Sequence, residues 1–223
     1  MPVHGGRHEL GQNFLVDPGV RRRIVDLVPP GPEPVLELGA GDGAVTRLLA
    51  DGRRPVTAVE LDPRRAAALR RELVGRVRVE QGDMLRFALG VPHHVVSNVP
   101  FAITTPLLRH LLGQRAWCTA VLLLQWEVAR KRAAVGGTTL LTAGWWPWYE
   151  FAPAGRVPAR AFRPVPSVDG GLLVLRRRAA PLLEDRARDA YQRFVRSAFD
   201  RGRIGGRRPR DLDAAQWAAA FGR

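Results

Sequence analysis

Residues 35–43, an apolar strand that runs into a glycine-rich turn, are the first segment whose residue types suggest chemistry. The turn contains Gly39, Gly41 and Gly43; glycine permits left-handed backbone and the close approach of a ligand. Glu60 ends the next apolar run, where a carboxylate can accept hydrogen bonds from both hydroxyls of a ribose. These residues predict a site for an adenosine-containing cofactor, either a dinucleotide or S-adenosylmethionine. A plain tight turn is the alternative.

Asp83 and Met84 end the third apolar run. The Asp83 carboxylate could accept a hydrogen bond from the adenine amino group, and Met84 could lie against the adenine ring. Asp83 could instead cap the helix that follows. Because parallel strands end at one edge of a sheet, we expect both residues near Gly39 and Glu60 and predict that they bind the cofactor.

The segment Asn98-Val99-Pro100-Phe101 combines an amide, a constrained backbone and an aromatic ring. An exocyclic amine of a nucleobase is a weak nucleophile, because its lone pair is delocalised. The Asn98 amide oxygen and a backbone carbonyl beside Pro100 can each accept one N–H of that amine. Stacking on Phe101, worth about 1–3 kcal/mol, offsets much of the few kcal/mol needed to flip a base. We predict that Asn98, Pro100 and Phe101 are catalytic in methylating such an amine; a capped turn with a core phenylalanine is the alternative.

Apolar runs alternate with amphipathic stretches from residue 34 onward, a pattern typical of a parallel sheet covered by helices on both faces. A last strand at residues 171–175 follows a proline-rich connection and is predicted to be antiparallel. Helices then follow at residues 182–199 and 212–221. We therefore predict a sheet domain over residues 1–176 and a small helical domain over residues 177–223. The other predicted strands are at residues 34–38, 56–60, 77–81, 94–97, 119–125 and 138–146, and the other predicted helices at residues 44–50, 63–73, 105–112 and 126–133.

The chain is strongly basic. Its 223 residues contain 35 basic and 21 acidic side chains, a net charge of +14, and every basic residue except Lys131 is arginine. Residues 176–223 hold 13 arginines against 6 acidic residues, a net +7 and half of the excess. Arginine pairs bidentately with phosphate, so the charge favours a nucleic acid as partner, bound in part by the helical domain.

Composition sets other classes of protein aside. Apolar residues make up 46% and charged residues 25% of the chain, as in an ordinary globular protein. A single cysteine, Cys118, excludes an intrachain disulfide framework. No apolar run is long enough to span a membrane, and residues 1–15 lack the apolar segment of a secretory signal. The five histidines have no metal-ligand spacing with Cys118. We expect a cytoplasmic monomer with no metal and no membrane contact.

Seven motifs stand in order between about residue 7 and residue 176. They are Gly11-Gln12-Asn13-Phe14-Leu15, Glu37-Leu38-Gly39-Ala40-Gly41, Glu60-Leu61-Asp62, Gly82-Asp83-Met84, Asn98-Val99-Pro100-Phe101, Gln125-Trp126-Glu127-Val128-Ala129-Arg130 and Phe162-Arg163-Pro164-Val165-Pro166-Ser167-Val168. In residues and in order they resemble the motifs of the rRNA adenine N6-methyltransferases. That superfamily contains the Erm macrolide-resistance enzymes and the small-subunit adenine dimethylases.

The resemblance implies a class I methyltransferase sheet and S-adenosylmethionine as the cofactor. It also implies that Asn98 and Phe101 handle the target adenine and that Phe162 helps to enclose it. The residues implied to bind the cofactor are Asn13, Leu15, Gly39, Glu60, Asp83 and Asn98.

The short helical tail and Phe101 favour the Erm branch of this superfamily. The expected substrate is then an adenine of protein-free or precursor 23S rRNA in the macrolide-binding region. Methyl groups there remove an N–H donor and add bulk against macrolides, lincosamides and streptogramin B. A small-subunit (16S) dimethylase, or a catalytically silent RNA-binding or transcription factor on the same fold, is the alternative.

Two features depart from the superfamily pattern or stay open. Trp126 stands where a lysine is common, which leaves an RNA contact at that position in question. The aromatic run at residues 145–149 fits either core packing or a wall of the base pocket.

Overall fold

The structure, a computed structural model, describes residues 13–222. Its main sheet has seven strands in the order β4-β3-β2-β5-β6-β9-β7. The first five are parallel, whereas β9 runs antiparallel to both β6 and β7. The strands are β1 (Phe14–Leu15), β2 (Val35–Leu38), β3 (Val56–Glu60), β4 (Arg78–Gln81), β5 (His93–Asn98), β6 (Trp117–Gln125), β7 (Tyr149–Val157), β8 (Phe162–Arg163) and β9 (Gly170–Arg177). The class I methyltransferase fold and the antiparallel last strand are thereby confirmed.

The starts of two helices are fixed by an aspartate cap. Asp17 and Asp62 cap α1 and α3, and each is followed by a proline, which fits the first turn of a helix. The helices are α1 (Pro18–Asp26), α2 (Thr46–Ala50), α3 (Pro63–Glu72), α4 (Thr104–Gly113), α5 (Trp126–Arg132), α6 (Leu140–Trp145), α7 (Arg188–Arg201) and α8 (Ala214–Phe221). None of the helices in residues 13–222 is long and apolar enough to cross a membrane.

The strands bury both faces, and their alternate residues belong to different cores. In β6, Leu122 and Leu124 pack in a core shared with α4 to α8, whereas Val121 and Leu123 pack in a core shared with α1 and α2. The period of two follows from the pleat of a strand. Because both faces of the sheet are covered, a ligand can reach the sheet only where the strands end.

The predicted strand at residues 138–146 is wrong. Thr139 caps α6 by accepting a hydrogen bond from the backbone N–H of Thr142, and strand structure resumes only in β7. Trp148 and Tyr149, at this junction, are buried. Tyr149 stacks on Trp117 with ring centroids 4.9 Å apart, so these two residues of the aromatic run serve core packing.

The C-terminal helices pack on the sheet domain rather than apart from it. Tyr191 of α7 is fully buried, and its hydroxyl donates to the carbonyl of Ala143 in α6 at 2.9 Å. Its ring meets that of Trp148 edge to face. Trp217 of α8 is also fully buried in the same core. The predicted boundary after residue 176 falls one residue before β9 ends.

A tight reversal joins α7 to α8. Ile204 and Arg207 exchange two backbone hydrogen bonds, and Gly205 and Gly206 between them both have positive φ. Two consecutive left-handed residues are favourable only for glycine and a few polar residues. The glycine- and arginine-rich part of the tail therefore contains a defined turn.

Candidate active site

A cavity of about 280 Å³ opens where β2 to β5 end. It lies outside the carboxyl ends of parallel strands, the position where open α/β sheets bind ligands. Its wall contains every residue predicted for the cofactor or for catalysis except Phe162. These residues are Asn13, Leu15, Gly39, Gly41, Glu60, Asp83, Met84, Asn98, Pro100 and Phe101.

The glycine turn is tied to the neighbouring strand. Gly39 and Gly41 have positive φ, and the Gly39 N–H donates to the carbonyl of Val59 at 2.9 Å. The Gly41 N–H donates to Glu60 Oε2 at 2.6 Å, and the Asp62 N–H donates to Oε1 at 2.9 Å. Both oxygens of Glu60 are thus held in place, and each keeps a lone pair for a ribose hydroxyl.

Asp83 caps no helix, because residues 84–86 form a turn instead. Its Oδ1 accepts the N–H of Leu85 at 2.9 Å within that turn. The residue also lines the cavity, with Met84 beside it. A Cβ placed on Gly39 would collide with the end of the Met84 side chain. Met84 therefore packs on the glycine turn and closes that side of the cavity.

Asn98 ends β5 with its amide fixed. Its Nδ2 donates to the backbone carbonyl of Asn13 at 2.9 Å, so its Oδ1 remains available as an acceptor. The Pro100 carbonyl accepts the N–H of Ile103 at 3.0 Å, which starts a short 3₁₀ turn at Phe101–Ile103. Phe101 is partly exposed on the cavity wall. The amide acceptor of Asn98 and the ring of Phe101 therefore line the same opening of the cavity.

Residues 13–16 form a strap, and its first three residues line the cavity. Phe14 in β1 pairs with β8, and its ring lies 3.3 Å from the position that a Cβ on Gly41 would take. The Arg65 guanidinium lies over the same ring at 4.7 Å and pairs with Asp42 at 3.0 Å. Phe14 is therefore held between the glycine turn and Arg65. Gly11 and Gln12 of this motif lie outside the described residues.

Glu37 is a cavity residue to which the sequence reasoning assigned no role. It is buried in β2, and its Oε2 has no hydrogen-bond partner. Burial raises its pKa to about 8; the Thr46 hydroxyl opposes the rise, and the Glu60 carboxylate adds to it. In the sequence, the signal for Glu37 was an acidic residue within an otherwise apolar run, two residues before Gly39.

A family model described as ribosomal RNA adenine dimethylase matches residues 3–204. The chain belongs to this family. Mycinamicin-resistance protein MyrB of Micromonospora griseorubida is 56% identical, over 99% of this chain and 79% of that protein. An rRNA adenine N-6-methyltransferase of Corynebacterium diphtheriae is 47% identical, over 91% of this chain and 82% of that protein. The crystal structure of the 23S rRNA methyltransferase ErmE superposes with a TM-score of 0.83 at 34% identity, over 94% of this chain and 98% of that one.

This member of the rRNA adenine dimethylase family is therefore an rRNA adenine N6-methyltransferase that uses S-adenosylmethionine. The cavity fits that cofactor by charge. Three carboxylates line it, those of Asp42, Glu60 and Asp83, beside the buried and protonated Glu37, and within residues 13–222 the lining includes no arginine or lysine. A sulfonium and an ammonium group are favoured by such a wall, whereas the pyrophosphate of a dinucleotide is repelled by it.

Phe162, predicted to help enclose the adenine, is fully buried. It pairs with Leu15 across β1 and β8, and its ring is 3.0 Å from the position that a Cβ on Gly170 would take. The structure does not bring it to the cavity wall. Contact with the adenine stays a prediction that requires Phe162 to leave this packing.

None of the described histidines lines the cavity. His93 and His94 are buried at the start of β5, and burial lowers the pKa of both. His110 contacts the carbonyl of Phe87 at 2.9 Å. Residues 13–222 contain no group of three or more histidine, cysteine or acidic side chains placed to hold a metal. His4 and His8 lie outside the described residues.

Proposed function

We propose that this enzyme methylates N6 of one adenine in 23S rRNA and so protects the ribosome from macrolides, lincosamides and streptogramin B. The observation that carries the chemistry is the Asn98 amide, fixed by Asn13 at the mouth of an acidic cavity. The choice of 23S rRNA is supported by the likeness to ErmE and MyrB, whose names state 23S rRNA methylation and mycinamicin resistance.

The protein acts on the target amine through hydrogen-bond acceptors. Asn98 Oδ1 and a backbone carbonyl beside Pro100 accept the two N–H bonds of N6, which draws its lone pair out of conjugation and aims it at the methyl carbon. S-adenosylmethionine, which the glycine turn, Glu60, Asp83 and Met84 would hold, would supply the methyl group as its carbon–sulfur bond gives way to a bond with N6. N6 would then lose its extra proton to water. The protein contributes position and hydrogen bonding rather than a strong base.

Phe101 and the loop around it receive the base. Adenine must leave its stack before its amine can reach Asn98, and this costs a few kcal/mol. Stacking on the exposed part of Phe101 restores about 1–3 kcal/mol of that cost. We therefore assign Asn98, Pro100 and Phe101 to the target base, and the glycine turn, Glu60, Asp83 and Met84 to the cofactor.

Residues 177–223 are proposed to contact the RNA backbone. Seven arginines in α7 and the segment that follows it are exposed, and arginine suits phosphate. They are Arg193, Arg196, Arg201, Arg203, Arg207, Arg208 and Arg210. We further propose that the enzyme works as a monomer in the cytoplasm, where protein-free and precursor rRNA are found.

The test is transfer of a labelled methyl group to purified rRNA. We expect incorporation into protein-free 23S rRNA, at one adenine mapped by primer extension, and none into 16S rRNA or DNA. Mass spectrometry of the nucleoside gives the number of methyl groups. Incorporation confined to 16S rRNA would replace this proposal with the small-subunit activity.

A cellular test separates methylation from RNA binding. The wild-type enzyme and Asn98→Ala are expressed at equal levels in a macrolide-sensitive bacterium. We expect only the wild type to raise the inhibitory concentration of the drug. Equal protection by both proteins would favour a binding protein without catalysis.

A further inference from the structure

Trp126 is a residue that the proposed chemistry does not use. It is the first residue of α5, directly after β6 ends at Gln125. Its indole is partly exposed, whereas Trp117, Trp148 and Trp217 are fully buried. A large aromatic surface at the ligand-binding edge of a sheet is more informative than one in the core.

The register of the sheet places Trp126 beside the methylation site. Asn98 of β5 pairs with Leu123 of β6, and the Val99 N–H donates to the Leu123 carbonyl at 3.0 Å. Trp126 comes three residues after Leu123, at the same carboxyl edge and one strand away. A nucleotide next to a base held at Asn98 would therefore meet this part of the surface.

Helices α4 and α5 both cover one face of the sheet. Leu107 of α4 and Ala129 of α5 are buried in the same core, and α4 begins just after Phe101. Phe101 and Trp126 thus stand where two helices on this face begin, Phe101 after β5 and Trp126 after β6, with the Trp126 ring packed toward Gly171 of β9. Two partly exposed rings on one face can take successive bases, as aromatic platforms do in single-strand binding proteins.

The Trp126 indole packs against Gly171. A Cβ on Gly171 would lie 2.8 Å from Cε3 of Trp126 and 2.9 Å from Cβ of Ala129. The backbone N–H of Trp126 also donates to the Asp169 carbonyl at 2.9 Å. The Trp126 side chain is therefore already fixed in the free protein. A base that stacks on it loses little binding free energy to the ordering of this side chain.

Positive charge adjoins the ring. Arg130, one turn along α5, lies 5.9 Å from the indole centroid, and Lys131 next to it is exposed. The contact of Arg130 with Glu127 is 3.4 Å long and solvent-exposed, so it competes only weakly for the guanidinium. The guanidinium lies over the ring, so a base that stacks on this face takes its place, and the displaced guanidinium can pair with the phosphate of that nucleotide.

We propose that Trp126 is the stacking platform for a nucleotide adjacent to the target adenine and that Arg130 binds the phosphate of that nucleotide. The proposal rests on the methylation of an RNA adenine and adds a determinant of RNA recognition to it.

The test compares Trp126→Leu, Trp126→Phe and Trp146→Leu with the wild type, on an RNA stem-loop that contains the mapped target adenine. Trp146 is partly buried at the end of α6, and its carbonyl accepts a hydrogen bond from Arg178. It serves as the matched control for removal of an indole. Trp126→Leu is expected to raise KM for RNA roughly tenfold, within the range known for removal of one stacked base. Its kcat and its KM for S-adenosylmethionine should stay within twofold, and Trp126→Phe should keep most of the affinity.

Two further measurements report stacking and charge directly. 2-Aminopurine placed on either side of the target adenine should be quenched at one position by the wild type and by Trp126→Phe, but not by Trp126→Leu. Arg130→Gln should reduce the slope of log affinity against log salt by roughly 0.7, the value for one phosphate of a single strand.

The outcomes separate this proposal from the assignment of 23S rRNA. An unchanged RNA KM in Trp126→Leu, with quenching retained, would overturn the platform while methylation stands. If the wild type methylates only 16S rRNA, the same variants are measured on that target. A dependence on Trp126 there would support the platform and overturn only the choice of 23S rRNA.

Discussion

Asn98 and Asn13 are 85 residues apart in sequence and are joined by a hydrogen bond of 2.9 Å from the Asn98 side-chain Nδ2 to the Asn13 carbonyl. The bond fixes which end of the amide faces the cavity, because a carbonyl can only accept. The strap that closes the cavity therefore also sets the direction of the acceptor for the target amine.

We expect Asn98→Ala to lower kcat by roughly 100-fold or more, because a preorganised hydrogen-bonding group at a reacting centre is worth about that much. RNA affinity should change little, since contacts with the phosphate backbone remain. Single-turnover methylation and a filter-binding assay measure the two effects. A kcat within fivefold of the wild type would show that Asn98 does not hold the amine.

Removal of the Phe14 ring should loosen the strap. Phe14→Ala eliminates the packing on Gly41 and the stacking under Arg65, a cation–π interaction worth about 0.5–1 kcal/mol when exposed. We expect the Kd for S-adenosylmethionine to rise roughly 5- to 10-fold, measured by calorimetry. Val16→Ala, at an exposed residue of the same segment, is the control. Equal affinities for both variants would mean that the strap does not retain the cofactor.

Glu37 should make the cofactor-free protein less stable as pH rises. Its pKa is raised to about 8 in the folded state from an ordinary value of 4.5, so the folded state retains a proton that the unfolded state releases. The stabilisation is fully present below pH 4.5 and is lost as pH rises through about 8. Glu37→Gln keeps the shape without the titration.

Urea unfolding at several pH values measures this effect. From pH 5 to pH 8 the free energy of unfolding of the wild type should fall relative to that of Glu37→Gln by on the order of 2–4 kcal/mol. Parallel pH profiles for the two proteins would show that Glu37 is ionised in the fold despite its burial.

The exposed arginines of the helical tail should govern the salt dependence of RNA binding. Changing Arg193, Arg196 and Arg203 together to glutamine should reduce the slope of log affinity against log salt by about 0.7–0.9 for each phosphate that is no longer neutralised. The matched control removes three exposed arginines elsewhere. They are Arg53, Arg64 and Arg71. If the control lowers the slope as much as the tail variant, the tail is not the preferred binding surface for the RNA backbone.

Point substitutions are preferable to truncation because the tail completes the main core. Tyr191 and Trp217 are fully buried, and Tyr191 packs against Trp148. Removal of one such buried aromatic side chain costs about 3–5 kcal/mol. A chain cut after Arg178 would expose Trp148 as well and should have a much lower Tm, which differential scanning calorimetry would show.

Local sequence patterns were sufficient for the strands that position the site. The predicted strands that end at Leu38, Glu60 and Ser97 are bounded by glycine, acidic or proline residues, and their order fixes which side chains meet where the strands end. Ten of the eleven predicted site residues line the cavity, but two of these, Asn13 and Leu15, precede the strands and were implied by the resemblance alone. Phe162 differs because its burial depends on pairing with Leu15, which is distant in sequence.

The errors arise where tertiary contacts override a local pattern. Residues 138–146 are rich in threonine, leucine and tryptophan, which favours a strand, yet the Thr139 cap and contacts with α7 make part of this segment helical. The hydrogen bond from Asn98 to Asn13 and the contact of Arg65 with Phe14 could not be predicted either, because each joins residues that are far apart in the chain. The pKa of Glu37 depends likewise on burial that the sequence does not report.

The acidic lining of the cavity has a consequence for how the RNA is held. The exterior of the protein attracts polyanions, whereas the carboxylates of Asp42, Glu60 and Asp83 disfavour a phosphate that enters the cavity with its base. We therefore expect the phosphates on both sides of the target adenine to stay on the basic surface while the heterocycle alone reaches the methyl donor.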